Sequence, residues 1–214
     1  MAGPLRQLAG WVTGALLALL ARLVTAVRAD WAGVAPERRQ RVYFANHASH
    51  ADFLLIWTVL PDPLRALTRP IAAADYWQRT APRRFAMDAV FNGLLIERCG
   101  APERAGAAID RALATGDSLI LFPEGTRNTT DAPLLPFKAG LYHLARAHPE
   151  VELVPVWIEN LNRVMPKGEI VPIPLLCSVT FGAPLARVPD EGKDAFLARA
   201  AAALLATKPK ERSE

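Results

Sequence analysis

Residues 42–52 read V-Y-F-A-N-H-A-S-H-A-D. Val42 to Ala45 is an unbroken apolar run, as a strand buried on both faces of a sheet requires, and the polar block after it marks the exit into a loop. His47 and Asp52, with four residues between them, therefore stand at the mouth of a buried strand. A histidine that takes a proton from an alcohol needs such a carboxylate, which holds the imidazole tautomer and stabilises the cation that forms. The stretch points to chemistry at a hydroxyl group.

Outward from this block, strand-like and helix-like segments alternate. Phe53 to Leu60 reads as a helix stopped by Pro61-Asp62-Pro63, after a polar stretch from Pro36 to Arg41 that precedes the first strand. Ala66 to Ala73 reads as extended, Pro82 to Phe91 as helix, and Leu94 to Glu97 as buried strand. Pro102 to Ala114 is a helix with proline near its start and Glu103 in its first turn. A Thr115-Gly116-Asp117 turn leads into a strand from Ser118 to Phe122, a loop to about Pro136 and a helix from Phe137 to Ala147. Strands at Val151 to Ile158 and Cys177 to Phe181 and a helix from Asp190 to Ala206 complete the pattern. Such alternation predicts an α/β fold, a single-domain αβα sandwich around a mostly parallel or mixed central sheet. Residues 36–206 form the catalytic domain in this reading, and 207–214 a frayed tail.

The chain has 214 residues, 51% hydrophobic and 21% charged, enough for one sizeable core and incompatible with a disordered class. Its net charge is +4, and arginine far outnumbers the lysines at 138, 167, 193, 208 and 210. Arginine suits bidentate phosphate recognition and adhesion to anionic lipid, although a solvated arginine-rich surface is the plainer reading for most of them. Cys99 and Cys177 form neither a CxxC motif nor a ligand-spaced pair, which points to a reducing compartment and away from a zinc ribbon.

Residues 1–35 carry the clearest location signal. Leu8 to Ala21 has no charge, yet a helix of that length covers only about 21 Å, short of a hydrocarbon core of about 30 Å. Continued to Val27, the helix puts Leu16, Leu20, Leu23 and Val27 on one stripe, broadened by Val12, Leu19 and Val24, with Ala15, Ala18, Arg22 and Thr25 opposite. That pattern predicts a monotopic helix lying in the membrane interface, with Arg22 and Arg28 reaching toward headgroups. A tilted span, a cleaved signal peptide and a helix docked on a soluble domain are the competing readings.

Two further blocks follow predicted strands. Phe122-Pro123-Glu124-Gly125-Thr126-Arg127 combines a glycine that lets backbone approach a ligand, a threonine hydroxyl and an arginine fork, the elements of a phosphate cradle. Gly93-Leu94-Leu95-Ile96-Glu97-Arg98 delivers Arg98 to a strand end, and Lys138 stands at a helix start as a further cation. Ligands bind at the carboxyl ends of strands in α/β sheets, so His47, Arg98 and Glu124 to Arg127 are expected to converge.

In order, N-H-A-S-H-A-D, G-L-L-I-E-R, F-P-E-G-T-R and V-P-V at Val154-Pro155-Val156 resemble the four motifs of the glycerolipid acyltransferase family that includes 1-acylglycerol-3-phosphate acyltransferases. The resemblance covers roughly residues 40 to 160, and Glu97 stands where the family more often has aspartate. It implies His47 as the general base that deprotonates the acceptor hydroxyl for attack on an acyl thioester, with Asp52 in support. It implies Arg98, Glu124, Gly125, Thr126 and Arg127 as binders of the phosphate and glycerol part of the acceptor. Pro155 belongs to the fourth block, placed along the acyl site. The implied donor is acyl-CoA or acyl carrier protein, with no metal and no resident cofactor, because a thioester is already activated. The expected partners are membrane lipids and that donor, not nucleic acid, at the cytoplasmic face of a membrane.

Three other readings are weaker. His47, His50 and Asp52 spell H-x-x-H-x-D, but only His143 and His148, in and at the end of a predicted helix, remain to complete a metal site. Gly116-Asp117-Ser118-Leu119 spells the nucleophile block of a GDSL-type esterase without the late Asp-x-x-His that such an enzyme needs. A non-catalytic lipid-binding protein of the same fold is the third, and the presence of both His47 and Asp52 argues against it.

Overall fold

A computed structural model describes residues 3–49, 51–97, 102–160 and 176–209. In chain order the elements are α1 (Pro4–Thr25), β1 (Arg28–Asp30), β2 (Arg41–Ala45), α2 (Asp52–Val59), α3 (Asp62–Arg65), β3 (Thr68–Ala73), α4 (Ala74–Trp77) and α5 (Ala81–Phe85). A π-turn (Ala86–Val90) follows, then β4 (Leu94–Ile96), α6 (Pro102–Ala114), β5 (Ser118–Leu121), α7 (Gly140–Ala147), β6 (Glu152–Glu159), β7 (Ser178–Phe181) and α8 (Lys193–Ala206).

The strands of the described residues form one sheet in the order β1-β7-β6-β2-β5-β3-β4. From β6 to β4 every neighbouring pair is parallel, while β7 runs antiparallel to β6 and β1 follows β7. The alternation of side chains along β2 makes the layers. Tyr43 and Ala45 pack with Phe53, Ile56 and Trp57 of α2 and with Ala18 and Ala21 of α1. Val42 and Phe44 pack on the other face with Leu113 of α6, Leu141 of α7 and Phe196 of α8. This is the αβα sandwich read from the sequence, and the coverage of both faces is why β2 carries no polar alternation.

Several local expectations change. Arg41 belongs to β2, not to a polar lead-in; its side chain is buried, with Nε donating to Glu152 Oε2 at 2.9 Å and Nη1 to the Ala35 carbonyl at 2.8 Å. β1 was not foreseen, being a three-residue edge strand fixed by long-range contacts, among them Trp31 stacked on Phe181 at 4.0 Å. The predicted helix at Phe137 begins only at Gly140, because the Lys138 amide donates to the Pro123 carbonyl at 2.7 Å and holds that stretch as a loop. Ser118 is a buried strand residue at the start of β5 whose Oγ accepts from the Arg41 amide at 3.0 Å, and Asp117 pairs with Arg69 at 3.0 Å, so both are structural. Thr207 is not frayed: it is buried, and a side chain at Gly182 would meet its Oγ1 at 2.6 Å.

Pro155 lies inside the sheet, where a missing N–H is normally excluded. Its carbonyl accepts from Gly182, directly beyond the end of β7, so its nitrogen faces the rung where that ladder stops. It packs against Gly182 within the sheet.

α1 turns its small residues inward. Gly10, Gly14, Ala18, Ala21 and Thr25 are buried, while Leu5, Leu8, Trp11, Val12, Leu16, Leu19, Leu20 and Leu23 are exposed. A Cβ at Gly10 would lie 2.2 Å from the Ala89 carbonyl oxygen in the π-turn, so the two backbones touch. Val12, Leu16, Leu19, Leu20 and Leu23 share the exposed side as read from the sequence, but Val24 and Val27 pack against the core and Ala15 is exposed, and Arg22 Nη2 donates to the Thr58 carbonyl at 2.9 Å, at the end of α2. Spanning 22 residues with a mean hydropathy of 1.7 over its most apolar window, α1 is long and apolar enough to cross a membrane.

Candidate active site

The parallel strands end at one edge of the sheet, and the quoted blocks leave β2, β5 and β4 there. At the exit of β2, the Asn46 side chain takes over from the backbone ladder. Its Nδ2 donates to the Ile158 carbonyl at 2.9 Å and its Oδ1 accepts from the Ile158 amide at 2.7 Å. With Asn46 pinned to β6, the next residues are free to turn.

His47 is then held from two sides. Its amide donates to Glu124 Oε1 at 2.8 Å, and its carbonyl accepts from the Asn128 amide at 2.6 Å. Its ring stacks on Phe122 with centroids 4.3 Å apart and planes 23° off parallel. Nδ1 lies 2.8 Å from Asp52 Oδ2, the same oxygen that accepts from the amides of Ala48 at 2.6 Å and Ser49 at 2.8 Å. An oxygen receiving those two donors is an acceptor for the imidazole as well, so Nδ1 carries the hydrogen and Nε2 keeps its lone pair. The dyad is oriented for proton uptake at Nε2.

Glu124 is 1% exposed, and its second oxygen accepts from the Leu135 amide at 2.8 Å. Burial pushes its carboxyl above the ordinary glutamate value, opposed by those two amide donors. Both oxygens are thus occupied in tying the β2 loop to the loop after β5. The family resemblance made Glu124 a substrate ligand; here its oxygens hold the His47 and Leu135 amides, a positioning contact, at the wall of the cleft beside His47. Asn46, Phe122 and Asn128 have comparable parts that the sequence did not disclose, although Asn46 and Phe122 stand inside the quoted blocks.

Gly125 has φ +68°, and a Cβ there would lie 3.2 Å from Lys138 Cγ, so only glycine admits both the turn and the lysine stem. The structure thereby brings Lys138 onto the F-P-E-G-T-R loop. Thr126 is exposed and Arg127 half-buried on the same loop. Among the described residues the Arg127 guanidinium has no ion-pair or hydrogen-bond partner. Arg98 and His50 lie outside the described residues, and His148 is engaged with Asp110 at 2.7 Å on the outer layer.

Two clefts meet at His47. A polar one of about 380 Å³ is walled by Asn46, Asn128, Thr130, Asp131, Trp157 and Asn160. An apolar one of about 150 Å³ is walled by Phe53, Ile71, Tyr76, Trp77, Ile96 and Phe122, with Gly125 at its edge. A histidine base between a polar and an apolar recess suits the joining of a hydroxyl to an apolar acyl group.

The acyltransferase family profile matches residues 31–159, so the chain belongs to that family. It is 31% identical over 164 residues to 1-acyl-sn-glycerol-3-phosphate acyltransferase alpha of Mus musculus, covering 72% of this chain and 53% of the relative. It is 30% identical over 175 residues to the 1-acyl-sn-glycerol-3-phosphate acyltransferase of Cocos nucifera, covering 75% of this chain and 52% of the relative. The chain spans about half the length of the curated relatives it matches. The fold matches the crystal structure of the 1-acyl-sn-glycerophosphate acyltransferase PlsC of Thermotoga maritima with a TM-score of 0.71 at 19% identity, covering 98% of this chain and 84% of that one.

Proposed function

We propose that this chain transfers a fatty acyl group from an acyl thioester to the free hydroxyl of a lysophospholipid at a membrane surface. The acceptor in this reading is 1-acylglycerol 3-phosphate and the product phosphatidic acid. The observation that carries it is the 2.8 Å contact between His47 Nδ1 and Asp52 Oδ2 at a strand end where two clefts meet. The names of the relatives support the acceptor.

In the reaction, the acceptor hydroxyl gives its proton to His47 Nε2 while its oxygen attacks the thioester carbonyl. The tetrahedral adduct collapses by breaking the C–S bond, and the imidazolium returns the proton to the departing thiolate. Asp52 stabilises the imidazolium in between. The thioester supplies the activation, so the step needs no metal or resident cofactor. Arg127 and Lys138, with Arg98 beyond β4, are the cations for the acceptor phosphate. The donor is acyl-CoA or acyl carrier protein.

Attachment comes from α1. Its small face is docked on the domain from Gly10 to Thr25, so the exposed leucines are presented sideways, alongside the domain. That arrangement supports a helix lying in the interface rather than crossing it, and the face assigned in this proposal is the cytoplasmic one.

The test is release of free thiol from an acyl thioester on addition of 1-acylglycerol 3-phosphate, with the product read by mass. His47→Ala is expected to lower the acceptor-dependent rate by about 10²- to 10⁴-fold, the usual worth of general-base assistance. Equal rates in the native protein and the variant overturn the mechanism.

A further inference from the structure

We infer that Arg83, laid over the ring of Tyr76, is a phosphate-binding residue at the outer lip of the apolar cleft, serving a phosphate-bearing substrate whose reacting end lies at His47. This rests on the acyl-transfer reading and adds a residue outside the four sequence blocks.

Tyr76 and His47 wall the same cleft. The chain doubles back after α4, where Thr80 Oγ1 accepts from the Arg83 amide and opens α5. That reversal sets the Arg83 guanidinium 4.2 Å from the centre of the Tyr76 ring. Stacking on a ring face fixes the plane of a guanidinium and leaves its N–H edges open, the pre-organised fork that phosphate oxygens match.

Five other arginines of the described residues show a contrast. Arg22, Arg65 and Arg69 each donate to backbone carbonyls, and Arg41 and Arg199 to carboxylates as well. Their donors are engaged in holding the fold. Among the described residues, the Arg83 side chain has neither a carbonyl nor a carboxylate acceptor, only the ring beneath it.

The surrounding charge favours an anion. Arg79 and Arg84 flank Arg83 and are exposed, and Lys138 lies against Gly125, which also lines the cleft. Of the nearby acids, Asp88 pairs with Arg6 at 3.5 Å, and Asp75 belongs to α4, its carbonyl accepting from Arg79 Nε at 2.9 Å. A recess walled by apolar side chains, with Arg83 over the ring of its Tyr76 and Lys138 against its Gly125, matches a phosphate joined to an apolar chain. Both proposed substrates carry one: the acceptor on its glycerol, the donor on its pantetheine arm.

The experiment measures equilibrium dissociation constants of the full chain in detergent micelles for two ligand pairs. One pair is 1-acylglycerol 3-phosphate and 1-acylglycerol; the other is a non-hydrolysable acyl-CoA thioether and the matching acyl-pantetheine thioether. Arg83→Ala is expected to weaken the phosphate-bearing member of one pair on the order of tenfold, the scale of one charged hydrogen bond, and to leave its phosphate-free partner within about twofold. The affected pair identifies the substrate. Arg83→Lys, which keeps the charge and loses the planar fork, is expected to fall between.

Unchanged affinity in both pairs, or equal loss for both members of a pair, overturns the inference. If Arg83→Ala does not fold, Arg83→Gln with the same four ligands decides it. A native protein that binds these ligands but releases no thiol with any acceptor defeats the acyl-transfer reading, while the same binding constants still decide Arg83.

Discussion

In the proposed reaction, His47 serves as a base because its backbone is clamped. Its amide meets Glu124, its carbonyl meets Asn128, and its ring lies on Phe122, so the imidazole has little freedom apart from the proton it exchanges. Glu124→Gln tests the clamp. A glutamine can present one oxygen, so one of the His47 and Leu135 amides faces an N–H₂ group and loses its acceptor. The variant is expected to lose about 1–3 kcal/mol of stability. Its kcat should fall more than its KM rises; a change confined to KM would return Glu124 to the role of substrate ligand.

The same carboxyl makes a prediction for pH. Its folded-state value is raised, so the folded protein holds the proton more tightly than the unfolded chain. The stabilisation from this group is full below the ordinary value of 4.5 and is lost as pH rises through the raised value. Denaturant midpoints of the native protein should show that decline, and those of Glu124→Gln should lack it. The residue's part in the site was invisible in F-P-E-G-T-R, because the spacing shows a carboxylate at a strand exit but not which amide it will face.

Among the elements, α1 and the π-turn approach closely at the backbone. Gly10 has no room for a side chain, whereas Gly106, in the middle of α6, has nothing within 4 Å of where its Cβ would be. Two glycine-to-alanine changes in helices should therefore have opposite signs. Gly106→Ala is expected to raise stability by roughly 0.5–1 kcal/mol through helix propensity. Gly10→Ala is expected to cost about 1–3 kcal/mol through overpacking against backbone. Thermal unfolding of the pair checks both; a stabilised Gly10→Ala protein would mean that α1 is not docked in this way. Helix existence was legible from the apolar pattern, but its inward face was not. Hydrophobic periodicity marks the large residues, and here the large residues face away from the protein.

At the scale of the molecule, the exposed leucines of α1 belong to a chain of net charge +4. Apolar contact supplies most of such interfacial binding, with electrostatic attraction to anionic lipid added to it. Replacing Leu16, Leu20 and Leu23 together by serine is expected to weaken binding to anionic vesicles by more than about tenfold, because each removes a buried aliphatic side chain. These side chains point away from the core, so the far-ultraviolet circular dichroism should not change. Retention of the triple variant in the membrane fraction at native levels would defeat the attachment model.

The alternation of strands and helices, the His47–Asp52 spacing and the order of the four blocks follow from local pattern, and the sequence alone determined the αβα class and the dyad. Local periodicity reports which face of an element is apolar and which residues share a loop. It does not report partners brought together by packing. Glu124 and His47 stand 77 residues apart, and only the parallel pairing of β2 with β5 sets one beside the other. The burial of Arg41, the tolerance of Pro155, the turning of Arg22 onto α2 and the laying of Arg83 on Tyr76 are of the same kind. Each depends on the position of an acceptor, a rung or a ring supplied by another element, so the tertiary structure decided them.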